Sequence, residues 1–156
     1  MPYSPIKVAN EFLRLAREDT PPRPITPLQL IKLVYIANGW WLAYFNEPLV
    51  NEPAQAWTYG PVMPSLYYAI RNYRASPITE PIPGDTDPQV LSPEARSLIK
   101  SVYDAYGALS GTQLSNMTHL AGTPWSQTWA NAGQNAVIPA EVIAAHYKQL
   151  AQRRTS

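Results

Sequence analysis

The chain has 156 residues, of which 46% are hydrophobic and 15% charged, and its formal net charge is +1. That length supports one domain with its own core, and the composition excludes an intrinsically disordered chain. The near-neutral charge gives no basic field for a phosphate backbone, and the lack of cysteine removes disulfide and thiolate chemistry.

The amino terminus lacks the apolar run of a signal peptide, and no stretch reaches about 18 apolar residues, so a soluble cytoplasmic protein is expected. Seventeen prolines predict short, sharply bounded elements. Ser4-Pro5 reads as an N-cap with a first-turn proline. The helix it opens carries Ile6, Ala9, Phe12, Leu13 and Ala16 on one stripe and ends near Asp19. Thr26-Pro27 opens a second helix in the same way. At about 100° per residue, Leu30, Ile31, Val34, Asn38, Trp41 and Phe45 form one face of it. Its back holds Ile36, Trp40 and Ala43, with only Gln29 and Lys32 as polar members. A helix apolar on both sides is central to a fold or shows one side to a partner, and we read this one as central. Asn38 then needs buried hydrogen-bond partners, and Gly39 marks either a close helix–helix approach or a tolerated glycine.

Residues 49–57 have no clear period and read as an extended arm, pairing in a short hairpin with 78–82. Tyr59-Gly60-Pro61 marks a sharp turn, and Pro64 seeds a helix through Tyr73 with Leu66 and Ile70 inward. Residues 75–93 form a proline-rich connector. Ser92-Pro93 starts a helix with Ala95, Leu98, Val102, Ala105, Tyr106 and Leu109 inward, and Thr112 caps a short one. The last helix runs from about Ile138 to Leu150 with Ile138, Val142, Ala145, His146 and Leu150 on one side. The expectation is a mainly α fold: a compact single domain over 1–151, a bundle of about six helices with a short hairpin, and a frayed polar tail at 152–156.

No chemical constellation accompanies these elements. His119 and His146 stand apart without metal-ligand spacing, and no nucleophile elbow or phosphate-binding glycine loop occurs, so no catalytic, metal or cofactor residues are assigned. Rigid aromatics and arginine at the edges of core stripes instead suit protein recognition. The candidate partner-binding residues are Trp40, Tyr44, Tyr59, Tyr68, Arg71 and Tyr73. The alternatives of another class are a small hydrolase, which would need a polar pocket of convergent titratable groups, and a nucleic-acid-binding regulator, which would need a basic stripe.

Several short motifs recur in order along the chain. They are Leu30-x-Lys32-Leu33-x-Tyr35, Gly39-x-x-Leu42-Ala43, Pro48-Leu49, Ala56-Trp57-x-Tyr59-Gly60-Pro61-Val62 and Leu66-Tyr67. Leu114-Ser115, Thr118-His119, Pro124-Trp125 and Ile138-Pro139 follow. Together they resemble the SocA-like domain, also called the Panacea domain or the GepA family. Among the matching positions, Lys32, Tyr35, Gly39, Trp57, Gly60, Pro61, Thr118, His119, Pro124 and Trp125 are expected to shape the fold. In particular, Thr118 or His119 is expected to hydrogen-bond backbone near the Gly60-Pro61 turn.

The resemblance implies a non-enzymatic antitoxin of a bacterial type II toxin–antitoxin pair, in a prophage or mobile element. Its partner would be a cognate protein toxin encoded next door and neutralised by direct binding. The family also implies an alternative, a proteolytic adaptor that delivers the toxin to the ClpXP protease. No cofactor, no membrane and no nucleic acid bound alone are implied, and homo-oligomerisation stays open.

Overall fold

The computed structural model describes residues 2–155, with side chains from Pro2 through Arg153. Among the described residues seven α-helices share one core, with a two-stranded hairpin on one side. Helix α1 (Pro5–Glu18) is capped by Ser4, and α2 (Pro27–Phe45) by a Thr26/Gln29 capping box, each with proline in the first turn. A reciprocal box satisfies two of the orphan amides at a helix start, which fixes where α2 begins.

Helix α2 is the axis of the molecule. Every residue from Leu30 to Trp40 is buried, because α1, α4 (Pro93–Tyr106), α5 (Gly111–Thr118) and α7 (Ala140–Thr155) pack around it. The sequence has no polar face to turn outward here, so enclosure is the only arrangement that removes its apolar surface from water. Two details make the enclosure possible. The Asn38 carboxamide oxygen accepts from the Leu49 and Val50 amides at 2.9 and 3.3 Å, so this buried acceptor is satisfied. Gly39 lies against the Tyr147 ring, where a Cβ would sit 2.3 Å from the nearest ring carbon. The close approach of α7 therefore requires glycine.

The hairpin joins β1 (Gln55–Trp57) to β2 (Gly60–Val62), in the register Gln55–Val62, Ala56–Pro61 and Trp57–Gly60. A short hairpin is present as expected, but its second strand is not 78–82. Residues 49–56 instead pair on two other sides. Tyr3 brackets Leu49 and Asn51, and the 135–138 segment bonds Ala54 and Ala56. The proline-rich 75–93 segment lacks amides at its five prolines and is pinned by isolated bonds. Ile78 N–H donates to the Ile25 carbonyl at 2.8 Å, and Asn10 clasps both backbone groups of Ile82. It therefore follows α1 and never reaches the hairpin.

Helix α3 (Pro64–Ile70) follows the hairpin and runs into a 3-10 turn, Arg71–Tyr73. Ser110, not Thr112, caps α5, through a box with Gln113 that places Thr112 inside the helix. Thr123 caps α6 (Pro124–Ala132). In α4 the most buried face is Ala95, Ile99, Val102 and Tyr103, one step from the expected stripe, and Ala105 is exposed. In α7 the inward pair is Ile143 and Tyr147 in place of Val142, Ala145 and His146. In α7 the face is displaced toward the bulkier side chains, which have more apolar area to bury, whereas in α4 the two adjacent faces carry side chains of similar size. Helix α7 continues through residues expected to fray, since glutamine and arginine are good helix formers, and Ser156 lies outside the described residues.

Candidate functional site

The Trp57–Val62 hairpin is held from three helices, and each contact ends on one of its backbone carbonyls. Lys32 Nζ of α2 donates to the Pro61 carbonyl at 2.9 Å, and Trp125 Nε1 of α6 donates to the Trp57 carbonyl at 2.7 Å. Ser115 Oγ of α5 donates to the Tyr59 carbonyl. Gly60 takes φ 114°, and a Cβ there would lie 3.1 Å from Lys32 Nζ, so glycine serves both the turn and the lysine.

The expected bond from Thr118 or His119 to this turn is absent. Thr118 Oγ1 lies within bonding distance of the Leu114 and Ser115 carbonyls of its own helix, the usual alternative for a helical threonine. His119 packs at a tilt on Trp125, with ring centroids 5.0 Å apart, Trp125 stacks in turn on Trp129, and the buried Nδ1 of His119 finds no partner among the described residues. The Pro124-Trp125 motif reaches the turn through the indole instead.

The helical period places Lys32 among the few polar residues on the back of α2. Its side chain is in fact buried, 2% exposed, and burial away from water pushes its ammonium down from the ordinary 10.5 to about 7. None of the ion pairs among the described residues includes it. Lys32 lines a cavity of about 390 Å³ between the hairpin and α3. Trp57, Tyr67 and Tyr68 form part of its wall, meeting edge-to-face with ring centroids 4.9 to 6.2 Å apart.

The six proposed anchors fall in different places. Tyr59 (74% exposed) and Tyr68 (56% exposed) line this cavity, and the Arg71 guanidinium lies 5.3 Å from the Tyr68 ring centroid. Trp40 and Tyr44 border a second, more apolar groove of about 630 Å³ between the C-terminal end of α2 and α4. Tyr44 is exposed, but Trp40 is a core residue at 4% exposure, its indole N–H donating to Tyr106 Oη and its ring packed edge-on to Tyr147. Trp40 thus forms groove wall and does not project. Tyr73 is half-buried against the core and lines neither cavity. The six do not form one surface.

Sequence reasoning did not place Tyr67 and Trp57 in the wall of the hairpin cavity, or Phe45 in that of the α2–α4 groove. It also missed the depth of Lys32, although a signal existed: α2 contains no aspartate or glutamate to pair with it. Among the described residues no group of histidines and acids could hold a metal ion. No described helix is long and apolar enough to cross a membrane.

A buried α2 axis, a clamped Trp-x-Tyr-Gly-Pro-Val hairpin and an aromatic face beside it define a mainly helical domain with an aromatic-walled cavity. Residues 30–126 match the family model described as antitoxin SocA-like, Panacea domain, and the chain belongs to that family. Antitoxin SocA of Caulobacter vibrioides (strain NA1000 / CB15N) is 32% identical over 123 residues, covering 72% of this chain and 64% of that protein. The chain thus spans somewhat less than two-thirds of the curated relative it matches. No solved structure matches it.

Proposed function

We propose that this protein is the antitoxin of a type II toxin–antitoxin pair and neutralises a protein toxin by direct binding. The observation that carries the reading is the exposed aromatic–arginine face made by Tyr59, on a hairpin fixed by three helices, and by Tyr68 and Arg71 on α3 and the turn that follows it. Tyrosine and arginine supply large contact area with little entropy to lose, and a rigid base reduces that loss further. Membership of the antitoxin SocA-like family supports a toxin as the class of partner.

The test is co-expression with the product of the neighbouring gene. Growth arrest by that product alone, rescued by this chain and accompanied by a co-purifying complex, supports the reading. Rescue that fails without an unfoldase protease such as ClpXP, with falling toxin levels, would replace blocking by delivery. A harmless neighbour would remove the antitoxin assignment.

A further inference from the structure

The cavity at Lys32 has more chemistry than a docking face requires. The lysine ammonium has three donors, and among the described residues only the Pro61 carbonyl receives one. No aspartate or glutamate lines the cavity, although Gln134 and Asn135 do. Asn135 is held in place there by its backbone N–H, which donates to the Ala56 carbonyl at 2.7 Å. Arg71, over the Tyr68 ring, adds a second cation beside the same wall.

A neutral side chain closing this cavity would leave the ammonium more deeply desolvated and still without a counter-charge, which is costly. A carboxylate would instead accept a charge-assisted hydrogen bond from a lysine that is already buried from water. Phosphate suits the cavity less well, because one ammonium and two amides lack the fork of arginines or the row of backbone amides that phosphate sites use.

We propose that the cavity is an acidic-side-chain pocket: a glutamate or aspartate of the protein partner enters beside Trp57 and Tyr68 and its carboxylate pairs with Lys32. This rests on the antitoxin reading for the identity of the partner, but not for the chemistry of the pocket. The pairing makes binding selective for an acid at one partner position, since any other residue there leaves Lys32 buried without a counter-charge.

Two measurements test it. In the wild-type chain, the Lys32 Cε resonance is titrated with acetyl-Ala-Glu-Ala-amide, acetyl-Ala-Gln-Ala-amide, acetyl-Ala-Ala-Ala with a free carboxyl terminus, and inorganic phosphate. The glutamate peptide is expected to raise the Lys32 midpoint by about half a pH unit or more, and the glutamine peptide to leave it in place. Equal responses to the two, or a larger response to the free carboxyl terminus or to phosphate, would overturn the assignment. With the neighbouring gene product, Lys32→Met is expected to weaken the complex at least about tenfold without lowering its own melting temperature. Unchanged affinity in a folded Lys32→Met would also overturn it. If the wild type forms no complex at all, the antitoxin reading fails while the peptide titration still decides the pocket.

Discussion

Two buried polar atoms of α2 mark opposite ends of the residue scale. The Tyr35 hydroxyl finds no hydrogen-bond partner among the described residues, and burial raises its ionisation well above the ordinary range. An unsatisfied buried hydroxyl costs about 1–3 kcal/mol, so Tyr35→Phe is expected to stabilise the fold by roughly 1 kcal/mol, read as a higher denaturant midpoint. An equal or lower midpoint would show that the hydroxyl is satisfied in solution. Lys32 carries a pH signature. Its folded-state value is about 7 against an ordinary 10.5, so between those limits the unfolded chain binds more protons. Stability should therefore rise with pH across that window, by at most about 1.4 kcal/mol per unit. Lys32→Met should lack this contribution, and its stability relative to wild type should be greatest at pH 7 and below and shrink toward pH 10. Parallel wild-type and variant curves from pH 7 to 10 would contradict the burial of the charge.

At the scale of elements, the α2–α7 contact decides whether the bundle closes. The Tyr147 ring occupies the space a side chain at residue 39 would need, and ring packing with Tyr35 and Trp40 holds it there. Gly39→Ala would normally favour a helix, by about 1 kcal/mol. Here overpacking should outweigh that gain, for a net loss of about 1–3 kcal/mol in chemical denaturation. A stabilised Gly39→Ala would mean that α7 moves away freely. The hairpin obeys a different logic. It is too short to persist alone, and its carbonyls are held by Lys32, Ser115 and Trp125 from separate helices. Its conformation is a consequence of the bundle, which is why motif residues far apart in sequence converge on it.

For the whole molecule, two apolar openings compete for the role of binding surface. The larger lies at the α2–α4 groove beside exposed Tyr44 and Phe45, and the smaller at the hairpin beside Tyr59 and Tyr68. Volume does not rank them, because recognition energy concentrates where aromatic and arginine anchors surround desolvated polar groups. The hairpin side has that combination. Tyr68→Ala with Arg71→Ala is therefore expected to weaken the toxin complex by about 2 kcal/mol or more in a binding titration, with little change in melting temperature. Tyr44→Ala should cost under about 1 kcal/mol. The reverse ranking would move the interface to the α2–α4 groove.

Much of the architecture was legible in the residues alone. Ser-Pro and Thr-Pro pairs announced the starts of α1, α2 and α4, since capping and a fixed proline φ are local properties. The all-round apolar run of α2 announced a central helix, and Asn38 and Gly39 announced their needs. The antitoxin SocA-like family was also readable, because its motifs lie at fixed places along the chain. Helical period could not fix which of two adjacent faces turns inward in α4 and α7, where apolar residues occupy both. Nor could it pair the 49–57 arm, because strand partners are chosen by which backbone groups are left free nearby. Tertiary structure alone placed Lys32 against Pro61 and divided the six aromatic and arginine candidates between two openings and the flank. Burial, charge pairing and shared surface are relations between segments distant in sequence, and only packing brings them together.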